Sequence, residues 1–267
     1  MPGRLTAARA MLHVGEEPCL WSGKGTGAVF FSGCSLRCSY CQNAQISLGC
    51  KGLEIDSQRL REIFLELIQE GATSIDLVTP SHFLPEILPA LQPKLPVPMI
   101  YNCGGYERVE TLRELEGLVD IYLPDFKYSD NNLAYRLSAA RNYREITSKA
   151  LQEMYRQVGS PVYAPNGQML RGMLIRHLVL PGYVDNSLGV LDEIERLFPK
   201  KDVPISLMSQ YVPMGRPEPP LDRRVTEDEY AAVLSWMDFC GLQEGFLQEA
   251  GAATTELLPQ FDFRGIL

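Results

Sequence analysis

The sequence predicts an α/β fold built on a parallel sheet of six β/α units. Short apolar runs alternate with amphipathic helical stretches along most of the chain, the pattern that puts parallel strands inside and helices outside. At 267 residues with 45% hydrophobic content, the chain can bury one large core, and α/β barrels of this length form one domain. The expectation is therefore one domain over 1–267: a lead-in over 1–27, a core over 28–249 and a loosely held tail over 250–267.

Val29-Phe30-Phe31 reads as the first strand. The helix after it starts at Asp56 or Ser57, carries Leu60, Ile63, Phe64, Leu67 and Ile68 on one face and stops at Gly71. Ser74–Thr79 is the second strand, followed by a proline-interrupted helix near Phe83–Leu91. Val97–Asn102 and Val119–Asp125 are the third and fourth strands, with a helix over Tyr106–Leu118 between them. A longer, mostly helical connection over 128–170 includes Tyr143–Val158. Met173–Leu180 is the fifth strand, Asn186–Phe198 a helix and Val203–Ser209 the sixth strand. The last helix opens on Thr226-Glu-Asp-Glu229, a capping-box spacing, and ends near Gly241. Phe246-Leu-Gln reads as a short closing strand.

A net charge of −8 argues against a nucleic-acid partner, whose phosphates want a basic face. No apolar run approaches the ~20 residues that span a bilayer, and no signal-peptide core follows Met1. The expectation is a cytoplasmic protein with reduced thiols.

The chemistry concentrates in Phe31-Ser-Gly-Cys34-Ser-Leu-Arg-Cys38-Ser-Tyr-Cys41, which sets three thiols in one loop just after the first strand. Three thiolates hold three corners of an iron–sulfur cube, and a four-iron cube takes four ligands. The remaining iron is then free to bind a small molecule, as a catalytic metal does. A structural zinc site wants paired cysteines or a histidine pair, and Cys50 is the nearby fourth-ligand candidate. Seven cysteines are an odd count for a disulfide framework.

Cys-x3-Cys-x2-Cys with Tyr40 before the last cysteine resembles the signature of the radical S-adenosylmethionine (radical SAM) superfamily. The longer run Phe-Phe-Ser-Gly-Cys-Ser-Leu-Arg-Cys-Ser-Tyr-Cys-Gln-Asn-Ala-Gln-Ile-Ser is similar to the branch of pyruvate formate-lyase-activating enzymes. The match runs from about His13 to Glu249. The resemblance implies a partial (βα)6 TIM-like barrel of the radical SAM type, with a 4Fe-4S cluster held by Cys34, Cys38 and Cys41. It further implies reductive cleavage of S-adenosylmethionine to a 5′-deoxyadenosyl radical that abstracts a hydrogen. The implied substrate is a glycine of a partner glycyl radical enzyme, and the implied electron donor a flavodoxin or ferredoxin. The alternatives are a radical SAM enzyme acting on a peptide or small molecule, and a non-catalytic iron–sulfur or zinc protein with Cys50 as fourth ligand. No catalytic residue is expected beyond the cluster ligands.

Ligands of such a sheet collect where the strands end, and those ends are polar here. Asn102 and Asp125 suit ribose hydroxyls, and Arg176 or Lys127 suits the cofactor carboxylate. Gly104 lets backbone approach a ligand. Gln210 closes the sixth strand. The resemblance places Tyr40 near adenine, mainly through its backbone. It also implies a Gly-Gly-Glu run after strand two for the cofactor amine; this chain reads Thr79-Pro80-Ser81 there, so Thr79 or Ser81 is the expected substitute. Taken singly, His13 and His82 read as structural histidines, and Cys19, Cys50, Cys103 and Cys240 as small buried hydrophobes.

Overall fold

The computed structural model describes residues 3–199, 202–215, 217–242, 245–247 and 259–267. The chain opens with β1 (Thr6–His13), a 3₁₀ turn over Pro18–Leu20 and β2 (Thr26–Phe31). Then come α1 (Ala44–Ser47), β3 (Leu53–Glu54), α2 (Ser57–Glu70), β4 (Ile75–Val78), α3 (Leu84–Ile87) between two 3₁₀ turns, and β5 (Met99–Cys103). The middle holds α4 (Val109–Arg113), β6 (Ile121–Pro124), α5 (Asn131–Ser138), α6 (Tyr143–Val158), β7 (Val162–Tyr163) and β8 (Met169–Met173). The final part is β9 (Ile175–Leu178), α7 (Val184–Leu197), β10 (Ile205–Met208), α8 (Glu227–Phe239) and β11 (Gly245–Leu247).

Strands β2, β4, β5 and β6 pair in parallel, and β9, β10 and β11 form a second parallel sheet. A parallel bridge from Asp125 to Arg176 joins β6 to β9 across the two sheets. The six predicted strands are therefore all present in a partial barrel, and β11 runs beside β10 as the closing strand; Gln248 lies outside the described residues.

Local chemistry sets the helices. Asp56 caps α2 by accepting from Arg59 N at 2.8 Å, and Gly71 ends it at φ 111°, a left-handed turn that glycine adopts without strain. Leu60, Ile63, Phe64 and Leu67 bury the face between. Thr226 and Glu229 form the expected capping box at the start of α8. The prolines reduce the expected helix over Phe83–Leu91 to α3 and its flanking 3₁₀ turns, because each removes a backbone donor.

Alternation splits each barrel strand. Ile75, Leu77, Met99, Tyr101 and Tyr122 join the large core beneath the helices. Ile100, Ile121, Leu123 and Leu174 point the other way and pack with Cys19 and Leu20 of the lead-in. The lead-in thus fills the apolar half of the barrel interior and leaves the polar half at the strand ends.

Three readings need correction. The lead-in over 1–27 contains a strand, Thr6–His13, antiparallel to β2, so Val29–Phe31 belongs to the second strand of the chain and not the first. The fifth strand begins at Ile175, because Met169–Met173 is a separate strand paired with β6. The tail is not loosely held over 259–267: Ile266 is fully buried, and Ala8 O and Ala10 N bond Phe263 N and Arg264 O. Arg9 ion-pairs with Asp262, and Phe261 packs edge-on against Phe30. Residues 250–258 lie outside the described residues.

Candidate active site

The cysteine loop leaves β2 through Gly33, whose N–H bonds Ile46 O at 2.8 Å. The α5 C-terminus clamps its middle: Arg37 N and Ser39 N donate to Ser138 O and Leu137 O, and Ser138 Oγ lies 3.0 Å from Cys38 Sγ. Ser47 Oγ lies 3.2 Å from Cys41 Sγ. Cys34, Cys38 and Cys41 line one cavity of about 270 Å³ at the strand ends. Among the described residues no three His, Cys, Asp or Glu side chains converge on one point, as a single zinc ion requires. A cube asks less convergence of its ligands, because each thiolate holds a different iron.

Burial pushes the Cys34 thiol up to about 12 and raises Cys38 as well, with the Lys127 charge opposing both. Binding iron at this loop therefore requires proton release.

Thr79, Asn102, Gly104, Asp125, Lys127, Arg176 and Gln210 line the same cavity, as does Tyr40. The Tyr40 hydroxyl is 2.6 Å from that of Tyr128, so its ring is anchored in the protein. Arg176 is the hub. Its Nε donates to Asp125 Oδ1 at 2.9 Å, and its two terminal nitrogens donate to Glu16 Oε2 at 2.9 Å and Asn102 Oδ1 at 2.6 Å. Lys127 Nζ donates to the other Asp125 oxygen at 2.5 Å. Burial alone would raise Asp125, yet the two cations hold its carboxyl below the ordinary range. Burial likewise opposes charge on Arg176 and Lys127, and Asp125 overcomes it on both. A ligand carboxylate approaching either cation must share it with Asp125.

Ser81 departs from expectation. It is absent from the cavity wall, and its hydroxyl donates to Glu107 Oε1 at 2.5 Å. Thr79 stays at the cavity with φ 60°, a strained backbone for a β-branched residue. It stands where the resemblance implies glycine.

Two acids join the site without an assigned role in the sequence. Glu16, close to the cysteine loop in sequence, reaches the cavity from the lead-in, and buried Asp76 accepts from Asn102 Nδ2 at 3.1 Å while its Oδ1 has no partner among the described residues. Burial raises both carboxyls. His13 lines the cavity beside Phe30, whereas His82 Nε2 bonds Ser32 O at 2.7 Å. Cys50 lies off the cavity wall, its thiol 3.8 Å from Leu48 O.

A family model described as a 4Fe-4S single cluster domain matches residues 21–84. An uncharacterized Methanocaldococcus jannaschii protein, MJ0674, is 27% identical over 238 residues, covering 84% of this chain and 64% of that relative. Streptococcus suis SuiB bound to S-adenosylmethionine aligns with TM-score 0.54 at 13% identity, over 85% of this chain and 48% of SuiB. Methylornithine synthase (PylB) aligns with TM-score 0.52 at 15% identity, over 78% of this chain and 60% of PylB. The chain has the radical SAM fold. It spans about half to two thirds of the length of these relatives. Within the radical SAM fold, the matched cluster domain ends just past Thr79 and so contains all three loop cysteines. No described helix is long and apolar enough to cross a membrane.

Proposed function

We propose that the protein is a radical SAM enzyme that binds a 4Fe-4S cluster through Cys34, Cys38 and Cys41 and cleaves S-adenosylmethionine reductively. One observation carries the reading: the three thiols open onto the same cavity as Asn102, Asp125, Lys127, Arg176 and Gln210. A cluster-ligand set thus shares one space with groups suited to an aminoacyl nucleoside. The bound groups would supply the chemistry, one electron breaking the cofactor's carbon–sulfur bond to give methionine and a radical that takes hydrogen from the substrate.

The chain's own residues position and enclose. Arg176 and Lys127 offer positive charge to the cofactor carboxylate, shared with Asp125. Asn102 and Asp125 suit the ribose hydroxyls. Tyr40 is assigned to the adenine side, and the Thr79 backbone to the amine. Phe30, Leu36, Leu178 and Met208 on the wall keep water and stray hydrogen donors away.

For the substrate, the resemblance favours a glycine of a partner glycyl radical enzyme, with a flavodoxin or ferredoxin as electron donor. A peptide substrate is the second reading; SuiB has been solved bound to its precursor peptide SuiA. The non-catalytic reading needs Cys50 as a ligand, and the position of that thiol off the cavity wall speaks against it. The test is anaerobic reconstitution followed by dithionite and S-adenosylmethionine. The reading predicts 5′-deoxyadenosine and methionine in equal amounts. A brown protein that leaves the cofactor intact overturns it. Adding a candidate partner and looking for a glycyl doublet by EPR separates the two substrates.

A further inference from the structure

Glu107 lies outside the cavity wall, yet it ties together two loops that form it. It follows β5 by four residues and is 5% exposed. Its Oε1 accepts from Ser81 Oγ at 2.5 Å, from the loop after β4, and its Oε2 faces Tyr101 Oη at 3.5 Å. Its own N–H bonds Gly105 O at 3.0 Å. Gly105 sits at φ 74°, where a Cβ would collide with the Asp125 carbonyl oxygen, so the backbone there has little room to move.

Two residues before Ser81, Thr79 is held at φ 60°, its N–H bonded to Asn102 O at 2.8 Å. A β-branched residue keeps that conformation only when its surroundings over-determine it. One restraint is the bond to β5. The second, on the other side of Pro80, is the Ser81 to Glu107 tether.

We propose that Glu107 is a positioning residue that, through Ser81, holds the strained Thr79 turn in the shape that receives the amine end of S-adenosylmethionine. This rests on the reading above. Without the tether, Thr79 relaxes to negative φ and the stretch of cavity wall that it forms changes shape.

The test measures S-adenosylmethionine binding by equilibrium dialysis, and 5′-deoxyadenosine kinetics, on reconstituted full-length protein. Glu107→Ala and Ser81→Ala are expected to raise Kd and KM about tenfold, with kcat within about threefold of wild type. Glu107→Gln keeps an acceptor for Ser81 and is expected to stay within about threefold of wild type on all three. Thr79→Gly removes the strain, so Glu107→Ala in that background should lose less than about threefold. Ser81→Ala leaves the buried carboxyl in place and serves if Glu107→Ala does not fold. Iron content equal to wild type shows that the cluster loop is untouched. Wild-type Kd and KM in Ser81→Ala overturn the proposal, as does an equal loss in Glu107→Gln and Glu107→Ala. Wild-type protein that neither binds nor cleaves the cofactor overturns the underlying reading instead.

Discussion

Arg176 and Asp125 join the two sheets of the barrel twice, by a guanidinium-to-carboxylate bond of 2.9 Å and by a backbone bridge. The side-chain half lies on the cavity wall, 15% and 17% exposed, and Glu16, Asn102 and Lys127 complete it. The seam between the sheets and the polar wall of the cavity are therefore one network.

Removing the guanidinium leaves Asp125 and Glu16 with less compensation in a largely enclosed site. Arg176→Met should cost about 3–5 kcal/mol of stability. Arg176→Lys keeps the charge but loses the fork, so it should fall between. Urea unfolding decides the matter, and a loss below about 1 kcal/mol for Arg176→Met would contradict the account.

Iron content separates ligands from bystanders. Serine at position 34, 38 or 41 should each remove most of the iron and sulfide retained after anaerobic reconstitution. Cys50→Ala and Cys240→Ala should retain it. Metal analysis and the visible absorption band report the outcome.

Burial lifts the Glu107 carboxyl from 4.5 to about 7, against hydrogen bonds from Ser81 and Tyr101. With the folded value above the unfolded one, its stabilising contribution is complete below about pH 4.5 and is lost as pH rises through about 7. Glu107→Gln does not ionise. Compared with that variant, wild type should lose on the order of 3 kcal/mol between about pH 4 and about pH 8. Denaturation midpoints of both proteins across that range would reveal parallel curves if the account is wrong.

Thr79 carries strain that glycine does not. Thr79→Gly should raise the unfolding free energy by ~1 kcal/mol or leave it unchanged, the relief being offset by the freer unfolded chain. A loss above about 2 kcal/mol would show that the threonine side chain stabilises the turn.

Ile266 is fully buried in the main core beside α2, where Arg59 Nε bonds its carbonyl. Ile266→Ala should cost about 2–5 kcal/mol. Thermal unfolding measures it directly.

What was readable in the chain followed from locality. Leu60, Ile63, Phe64 and Leu67 repeat at helical spacing, and Thr226 and Glu229 cap within one turn, so short windows suffice. β1 was not readable: Ala7, Ala8 and Ala10 carry no β-branched signal, and the strand exists because β2 lies beside it. The site divides the same way. Asp125 and Lys127 stand at or just past the end of the predicted fourth strand, and Arg176 inside the predicted fifth. Glu16 reaches them only because the Cys19-Leu20 plug lodges inside the barrel. Ser81 looked like a ligand group, but the 3₁₀ turn beginning there aims its hydroxyl at Glu107.

The pairing of residues 259–267 with β1 sets an order of events during synthesis. Arg9 and Gln260 are 251 positions apart, so every parallel strand leaves the ribosome before Pro259 and Phe261 take their places beside the cavity and Phe30. A nascent chain halted after β11 has its thiol loop and its charged hub but lacks that wall. The cavity is therefore completed last, after all the strands that carry its polar groups have been made.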